Sequence, residues 1–489
     1  MSTPKVQTTN TLEQTASTGR LSGYPVPRLT ASTLEALREL FTGSGYAAAL
    51  DPAPAPVLKR PENSSPRFHL LKRLFASGES LTANETTNAL SPLDLNTLIE
   101  AGLLQERHEQ VRAFYQVQVY NRLLFLADFM PRQHPADLVL PIGPSGIYLA
   151  SVTIREPVAT ALDLGCGCGI QALLMAQHAR QVTATDINPR ALALTRLNAG
   201  LNGFTNIEVI EGSYFEPVQG RTFDLITANL PYVLSPENKY IYRDLSHGGD
   251  TVIRQTVEQM PLHLNEGGYA HLMLNWIHRA EQAWWEPAQE WTKRRNADAW
   301  MIYSHSKTPE EYAQTWILVD RKENPEEYAK TKESWLKWYA SQNIERIAFG
   351  LLTLRRRTSS NTWQCSVYVK TTAEEPLGKY IRHLFLSQDY LSGIADPGDL
   401  LEKKLRPWNM KIETLSSEVF TARTTRGFLI QTEIHPITAA AIARLDGKTS
   451  LRSAIQRSAA GNRKHLARSL DFGSMEVYLL MNLGMIEAA

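Results

Sequence analysis

The chain has 489 residues, too many for one small core and, at roughly 100 to 200 residues per domain, enough for two to four domains. Its 43% hydrophobic, 21% charged and 9% aromatic residues are those of a soluble globular protein and exclude fibrous or wholly disordered classes, and a formal net charge of +1 provides no global field for nucleic acid or membrane. Three cysteines in so long a chain argue against a disulfide framework and fit a reducing cytoplasm, the expected location, as does the lack of an apolar run near the roughly 20 residues of a membrane span.

Residues 1–22, "MSTPKVQTTNTLEQTASTGRLS", carry too little apolar surface to offset their ordering entropy and are expected to be a disordered tail. From 23 to 135 the pattern is mostly helical. "STLEALRELF" has a Ser/Thr start with a Glu three residues after Ser32, and "RFHLLKRLFASG" stops at a glycine. "LSPLDLNTLIEAGLLQ" places Ser91 as a cap and Pro92 in the first turn, before the strand-like "VRAFYQVQVY". Helices followed by a strand pair predict a winged-helix-like module.

Between 136 and 371 strand and helix alternate. "TALDL", "QVTATDI", "IEVIEG", "FDLITANLPY" and "GGYAHLMLNW" read as strands, separated by helices such as "GIQALLMAQHA", "PRALALTRLNAGLNG" and "VIRQTVEQMPLHL". That rhythm predicts an α/β, doubly wound, Rossmann-like sheet with crossover helices on both faces. "IERIAFGLLTLRRR" and "TWQCSVYVK" read as a hairpin at its antiparallel edge, with Arg355 to Arg357 protecting that edge by charge or gripping phosphate. From 372 to 489, three helical runs including "HPITAAAIARL" predict a separate small helical domain, and "NRKHLAR" within it reads as a solvated helix face.

The chemistry concentrates in "LDLGCGCGI". Gly165, Gly167 and Gly169 occupy the turn from strand to helix, where missing side chains let backbone N–H groups approach a ligand closely. About twenty residues on, Asp186 ends the next strand, placed to accept from a ribose diol. Together they indicate an adenosyl ligand. The dinucleotide pattern G-x-G-x-x-G is not met, and Asp163, two residues before the loop, would repel a pyrophosphate but suits an ammonium. Cys166 and Cys168 are too close together, and Cys365 too remote, for a closed zinc site, so no metal is expected and the cysteines read as small packing residues.

"DLGCGCG" resembles the first motif, D-x-G-x-G-x-G, of the class I S-adenosylmethionine-dependent methyltransferases. The resemblance implies a seven-stranded sheet and S-adenosylmethionine as cofactor. It also implies that Asp163 and the elbow Gly165, Cys166, Gly167 and Gly169 take the methionine part, that Asp186 and Ile187 hold the ribose, that Gly212 and Ser213 line the adenine, and that Asn229 borders the cofactor as well. Downstream, "ANLPY" resembles the (Asn/Asp/Ser)-Pro-Pro-(Tyr/Phe) motif of methyltransferases that modify a planar nitrogen, with Leu230 replacing the first proline. An amide nitrogen is a poor nucleophile because its lone pair is delocalised. The Asn229 side-chain oxygen and the Leu230 carbonyl would each accept one N–H, Pro231 fixes the turn, and Tyr232 offers a face for stacking.

"NLPY" alone is similar to the ribosomal RNA adenine-N6 dimethyltransferases, but "NLPYVLSPE" with "YRDLSHGGD" resembles the release-factor glutamine-N5 methyltransferases and their small-domain relatives, in which "VLPIGPSGIYLA" sits where a segment covers the cofactor. The resemblance spans roughly residues 137–280. It implies a macromolecular methyl acceptor, protein glutamine ahead of an RNA base, with a non-catalytic nucleic-acid-binding regulator as the reading from another class. His247, before "GGD", reads as structural.

Overall fold

The structure, a computed structural model, describes residues 23–52, 65–131, 134–237, 239–244, 250–293, 296–319, 321–359, 362–369, 376–416, 419–459 and 466–489. The expected tail 1–22, His247 and most of "NRKHLAR" lie outside them. The chain divides into two compact units, one of residues 1–150 and 156–366, the other of 151–155 and 367–489. The boundary expected near residue 135 therefore falls inside the first unit, and the one near 371 falls close to the start of the second.

Helix Ala31–Gly43 buries Leu34, Leu37, Leu40 and Phe41, and its cap is Thr30 rather than Ser32, the Thr30 hydroxyl accepting from Thr33 N. Helix Pro66–Phe75 follows a Ser65 cap. Thr82 and Glu85 form a reciprocal capping box that opens Ala83–Leu90, a helix missing from the sequence reading. Asp94, not Ser91, caps Leu95–Glu100. Strand Gln110–Ala113 lies between Leu81–Thr82 and Leu104–Arg107 in a three-stranded sheet.

Strands Tyr115–Tyr120 and Leu123–Asp128 form a hairpin turned at Asn121 and Arg122, whose φ angles of 49° and 64° suit a tight two-residue turn. The Asp51 carboxylate accepts from both of their N–H groups, at 3.0 and 2.6 Å.

The large sheet has eight strands: β1 Val158–Leu164, β2 Ala179–Asp186, β3 Ile207–Glu211, β4 Phe223–Ala228, β5 Leu264–His278, β6 Ala297–Lys307, β7 Arg346–Arg356 and β8 Gln364–Tyr368. Their order is β8-β6-β7-β5-β4-β1-β2-β3. The pairs β1–β2, β2–β3, β1–β4 and β4–β5 are parallel, whereas β7 runs antiparallel to both β5 and β6. Eight strands rather than seven correct the expected count, and β6 corrects the expected hairpin. It sits between β7 and β8, so these two are not neighbours.

The run at 355–357 is also not an exposed edge. Arg355 is buried in an interior strand and donates Nε and Nη2 to Asp298 Oδ2 of β6 at 3.0 and 2.6 Å, and Arg357 Nη1 lies 3.7 Å from the same carboxylate.

Three helices place the site: α1 Pro144–Val152, α2 Ile170–Ala176 and α3 Pro189–Leu201. Asn198 on α3 and Asn202, which caps its C-terminus, explain why the N-terminal elements share a unit with the sheet. Asn198 accepts from Leu126 N at 2.7 Å and donates to its carbonyl at 3.0 Å; Asn202 does the same with Leu124 at 2.9 and 2.7 Å. Two side chains one helical turn apart thus stand in for a missing partner strand.

The second unit is mixed rather than mostly helical. Beside helices Gly378–Ser392, Pro436–Ile442, Leu451–Ser458 and Leu466–Asn482 it carries an antiparallel sheet of Met410–Thr414, Phe420–Thr424 and Gln431–Ile434, and a pair of Leu405–Pro407 with Ile486–Ala488. Leu400, Leu405, Ile455, Val477 and Leu480 are fully enclosed in its core. Among the described residues no helix is long and apolar enough to cross a membrane.

Candidate active site

Strand order reverses at β1: β2 and β3 lie on one side, β4 and β5 on the other. Ligands of open α/β sheets bind beyond the carboxyl ends of the strands at such a point. Here those ends carry the glycine elbow after β1, Asp186 at the end of β2, Gly212 and Ser213 after β3, and Asn229 after β4. Except for Gly169, where a Cβ would meet Leu173 at 3.0 Å and Thr195 at 3.1 Å, they line one cavity of about 270 Å³, just under the roughly 300–1,000 Å³ of small-molecule pockets.

Gly165, Gly167 and Gly169 have φ angles of 74°, 56° and 85°, a region that side chains rarely enter. At Gly165 a Cβ would stand 2.9 Å from Leu230 Cδ2, so the turn after β4 packs directly on the elbow. At Gly167 a Cβ would meet no protein atom within 4 Å, so its absence leaves room on the open side.

Gly167 N donates to Asp186 Oδ2 at 2.9 Å, and Asn188 N donates to Asp186 Oδ1 at 2.9 Å. With Ile187 N as a third backbone donor, the carboxylate keeps about one of its four lone-pair sites for a further donor. Burial raises the Asp186 carboxyl. Ile187, Gly212 and Ser213 line the same cavity, and so does Tyr214, which the sequence did not single out.

Asp163 is buried beneath the elbow. Its Oδ2 accepts from Ala172 N at 2.9 Å and its Oδ1 from the Thr227 hydroxyl at 3.1 Å. Burial pushes its carboxyl up to about 7, with the Asp186 charge adding to the rise and those two hydrogen bonds opposing it. The free protein thus gains stability from Asp163 below the ordinary value of 3.8, and loses it as pH rises through about 7.

Cys166 and Cys168 are buried free thiols, and Thr195 Oγ1 donates to Cys166 Sγ at 3.3 Å. Burial pushes both thiols up, Cys168 to about 12, which keeps them protonated and unreactive at neutral pH. Among the described residues no group of three or more His, Cys, Asp or Glu could hold a metal ion.

Asn229 donates Nδ2 to Ser145 Oγ at 3.2 Å, while its Oδ1 is buried with no hydrogen-bond partner among the described residues. Leu230 and Pro231 line the cavity beside it; Tyr232 does not. The Tyr232 ring meets Trp316 edge-on at 6.2 Å and packs on the apolar core, and its hydroxyl bonds to Ser145. The expected stacking face is thus turned into the protein.

Ser145 on α1, Gln171 on α2 and Tyr242 also line the cavity. Of these, Ser145 had a signal through the covering segment "VLPIGPSGIYLA" and Tyr242 through "YRDLSHGGD", whereas Gln171 had none. Tyr242 is bonded to His134 Nδ1 at 2.6 Å.

A glycine elbow with a carboxylate on the next strand, both at the switch point of a largely parallel sheet, defines an adenosyl-ligand-binding domain. Residues 146–291 match the family model described as "Methyltransferase small domain", and residues 31–114 match one described as a domain of unknown function. Over residues 146–291 the chain is thus similar to methyltransferase small domains.

The relatives include the release factor glutamine methyltransferase of Geobacter sulfurreducens, 34% identical over 148 residues, which are 27% of this chain and 51% of that protein. The ribosomal RNA small subunit methyltransferase C of Cronobacter sakazakii is 33% identical over 116 residues, 23% of this chain and 30% of that one. A ribosomal protein L11 methyltransferase of Clostridium botulinum is 29% identical over 126 residues, covering 24% and 40%. The chain spans about half or less of the length of these curated relatives.

Proposed function

We propose that the chain is an S-adenosylmethionine-dependent N-methyltransferase acting on a planar nitrogen of a macromolecule, with a protein glutamine as the favoured acceptor. The observation that carries this reading is the buried, unpartnered Oδ1 of Asn229 in the wall of the cavity that the glycine elbow also lines. A buried acceptor without a donor costs ~1–3 kcal/mol, a cost that an acceptor N–H would remove.

The residues present suit the cofactor: the elbow leaves open space at Gly167, and one cavity is lined by Asp163 and Asp186 and by two carboxamide side chains whose buried oxygens have no partner among the described residues. The cofactor supplies an electrophilic methyl group on a positively charged sulfur. Asp163 and the elbow then take its methionine part, Asp186 and Ile187 its ribose, and Gly212, Ser213 and Tyr214 its adenine. Asn229 Oδ1 and the Leu230 carbonyl orient the acceptor nitrogen, and Pro231 holds their turn. With the cofactor bound, the new C–N bond would form as the C–S bond breaks and S-adenosylhomocysteine leaves. The methylated nitrogen is then strongly acidic and sheds its proton to solvent, so no strong base is required of the chain. Orientation in a dry, polarised pocket supplies most of the acceleration.

In the first unit, the order helix, strand, two helices and strand pair from Pro66 to Ala113 supports a winged-helix-like module, which would grip the macromolecule. The rRNA methyltransferase among the relatives favours an RNA base as the second reading. Incubating the chain with tritiated S-adenosylmethionine and cell extract decides between them. Label removed by protease and resistant to nuclease is the expected result; nuclease-sensitive label would move the acceptor to RNA, and no transfer at all would sink the enzyme reading.

Asp163 sets an expected pH dependence. If its carboxylate receives the cofactor's ammonium, S-adenosylhomocysteine affinity should fall by up to about tenfold per unit as pH drops below about 7. Asp163→Asn should flatten that slope and, by removing the buried charge, raise the melting temperature at pH 8. Calorimetric titration from pH 5.5 to 8 checks the first, thermal melts the second.

A further inference from the structure

Two carboxamides in the cavity wall are held in the same way. Gln171 donates Nε2 to the Gly146 carbonyl at 2.8 Å, and Asn229 donates Nδ2 to Ser145 Oγ at 3.2 Å. Consecutive residues of α1 thus take both amide NH₂ groups. Both carboxamide oxygens, Gln171 Oε1 and Asn229 Oδ1, are buried with no partner among the described residues.

For Gln171 the orientation has no alternative, since turning the amide over would set its oxygen against the Gly146 carbonyl, two acceptors face to face. Native interiors hold few such unsatisfied groups, and each calls for a donor. Under the function proposed above, the acceptor nitrogen satisfies Asn229. Gln171 is left over.

We propose that Gln171 is a cofactor ligand, its Oε1 accepting from the α-ammonium of the methionine part, with the Gly146 carbonyl holding the amide in that orientation. The neighbouring residue decides which donor is meant. Ala172 N donates to Asp163 Oδ2 at 2.9 Å, so Gln171 stands beside the buried carboxylate under the elbow, and both residues line the same cavity. An ammonium has three N–H donors and no acceptor, and needs a shell of this kind. The methionine carboxylate, which only accepts, gains nothing from Oε1. The ribose and adenine donors are met elsewhere, at Asp186 and at Gly212 and Ser213.

The inference rests on the S-adenosylmethionine reading of the cavity, and binding separates the two. Calorimetry would compare S-adenosylhomocysteine with its analogue in which hydrogen replaces the α-ammonium. The wild-type chain is expected to prefer the former by about tenfold or more, the usual size of a hydrogen bond to a charged group. Gln171→Leu should cut that preference by about tenfold and leave affinity for the des-amino analogue within about twofold, which also reports an intact cavity.

A preference unchanged in Gln171→Leu would overturn the assignment. Equal loss of both affinities would make Gln171 structural and overturn it too. Binding of neither ligand by the wild-type chain would overturn the cofactor reading itself.

Discussion

Asn229→Ala is expected to lower methyl transfer by at least about a hundredfold while leaving S-adenosylhomocysteine affinity within about threefold. The size follows from what removal of one preorganised polar group costs at a reacting centre, on the order of 10²–10³ in rate. The split between rate and affinity follows from geometry. Asn229 gives its Nδ2 to Ser145 and leaves Oδ1 without a partner, whereas the elbow and Asp186 hold each other through Gly167 N without it.

Asn229→Asp keeps an acceptor oxygen but loses the donor to Ser145, and should fall between, at about tenfold. Single-turnover transfer from tritiated cofactor, beside calorimetry on the same variants, separates the two quantities. Full transfer by Asn229→Ala would remove the catalytic assignment, and loss of cofactor affinity in step with rate would make the residue a cofactor ligand instead.

What the sequence made legible was decided by how local each signal is. The elbow was readable because three glycines of positive φ, a buried acid and a strand-to-helix switch lie within eight residues. Asp186 and Asn229 stood out because the first ends a strand and the second directly follows one.

Ser145 and Gln171 enter through hydrogen bonds that span 84 and 25 residues, which no periodicity displays. Tyr232 fails for the opposite reason. Its position beside Asn229 is local, but the direction of its ring is set by Trp316, 84 residues away and itself within the ring of contacts around Tyr312.

β6 was hidden by composition: "ADAWMIYSHSK" is buried on both faces at its start and half-exposed at its end, so it shows no alternation, and "LRRR" in β7 imitates an edge until Asp298 is seen opposite Arg355. Short strands such as Met410–Thr414 alternate only Met410 and Ile412 with polar residues, too few apolar positions to stand out.

Asp128→Ala is expected to destabilise the first unit by about 3–5 kcal/mol, the usual cost of leaving a buried charge without its partner. Asp128, fully enclosed, takes Arg190 Nη2 on Oδ1 at 2.7 Å and Arg190 Nη1 on Oδ2 at 2.9 Å. Burial alone would lower the guanidinium's affinity for its proton, and the Asp128 hydrogen bond and charge more than reverse this. Without Asp128 the guanidinium keeps the Asp137 carbonyl, the Tyr115 hydroxyl, an Asp137 carboxylate 3.8 Å away and the faces of Tyr24 and Tyr115, at 5.8 and 5.9 Å.

The same Oδ2 also accepts from Val139 N at 2.7 Å, and Val139 lines the cavity. Cofactor affinity should therefore fall in Asp128→Ala, in contrast to Asn229→Ala. Tryptophan fluorescence in a denaturant titration reports the loss, since of the ten tryptophans only Trp408 lies in the second unit.

Adding Arg190→Met removes the stranded charge, so the double variant should be more stable than Asp128→Ala alone, a non-additivity that neighbouring partners produce and distant sites do not. A double variant no better than the single one would mean that Asp128 stabilises chiefly through Val139, and that the segment over the cavity, not the ion pair, is what the first unit depends on.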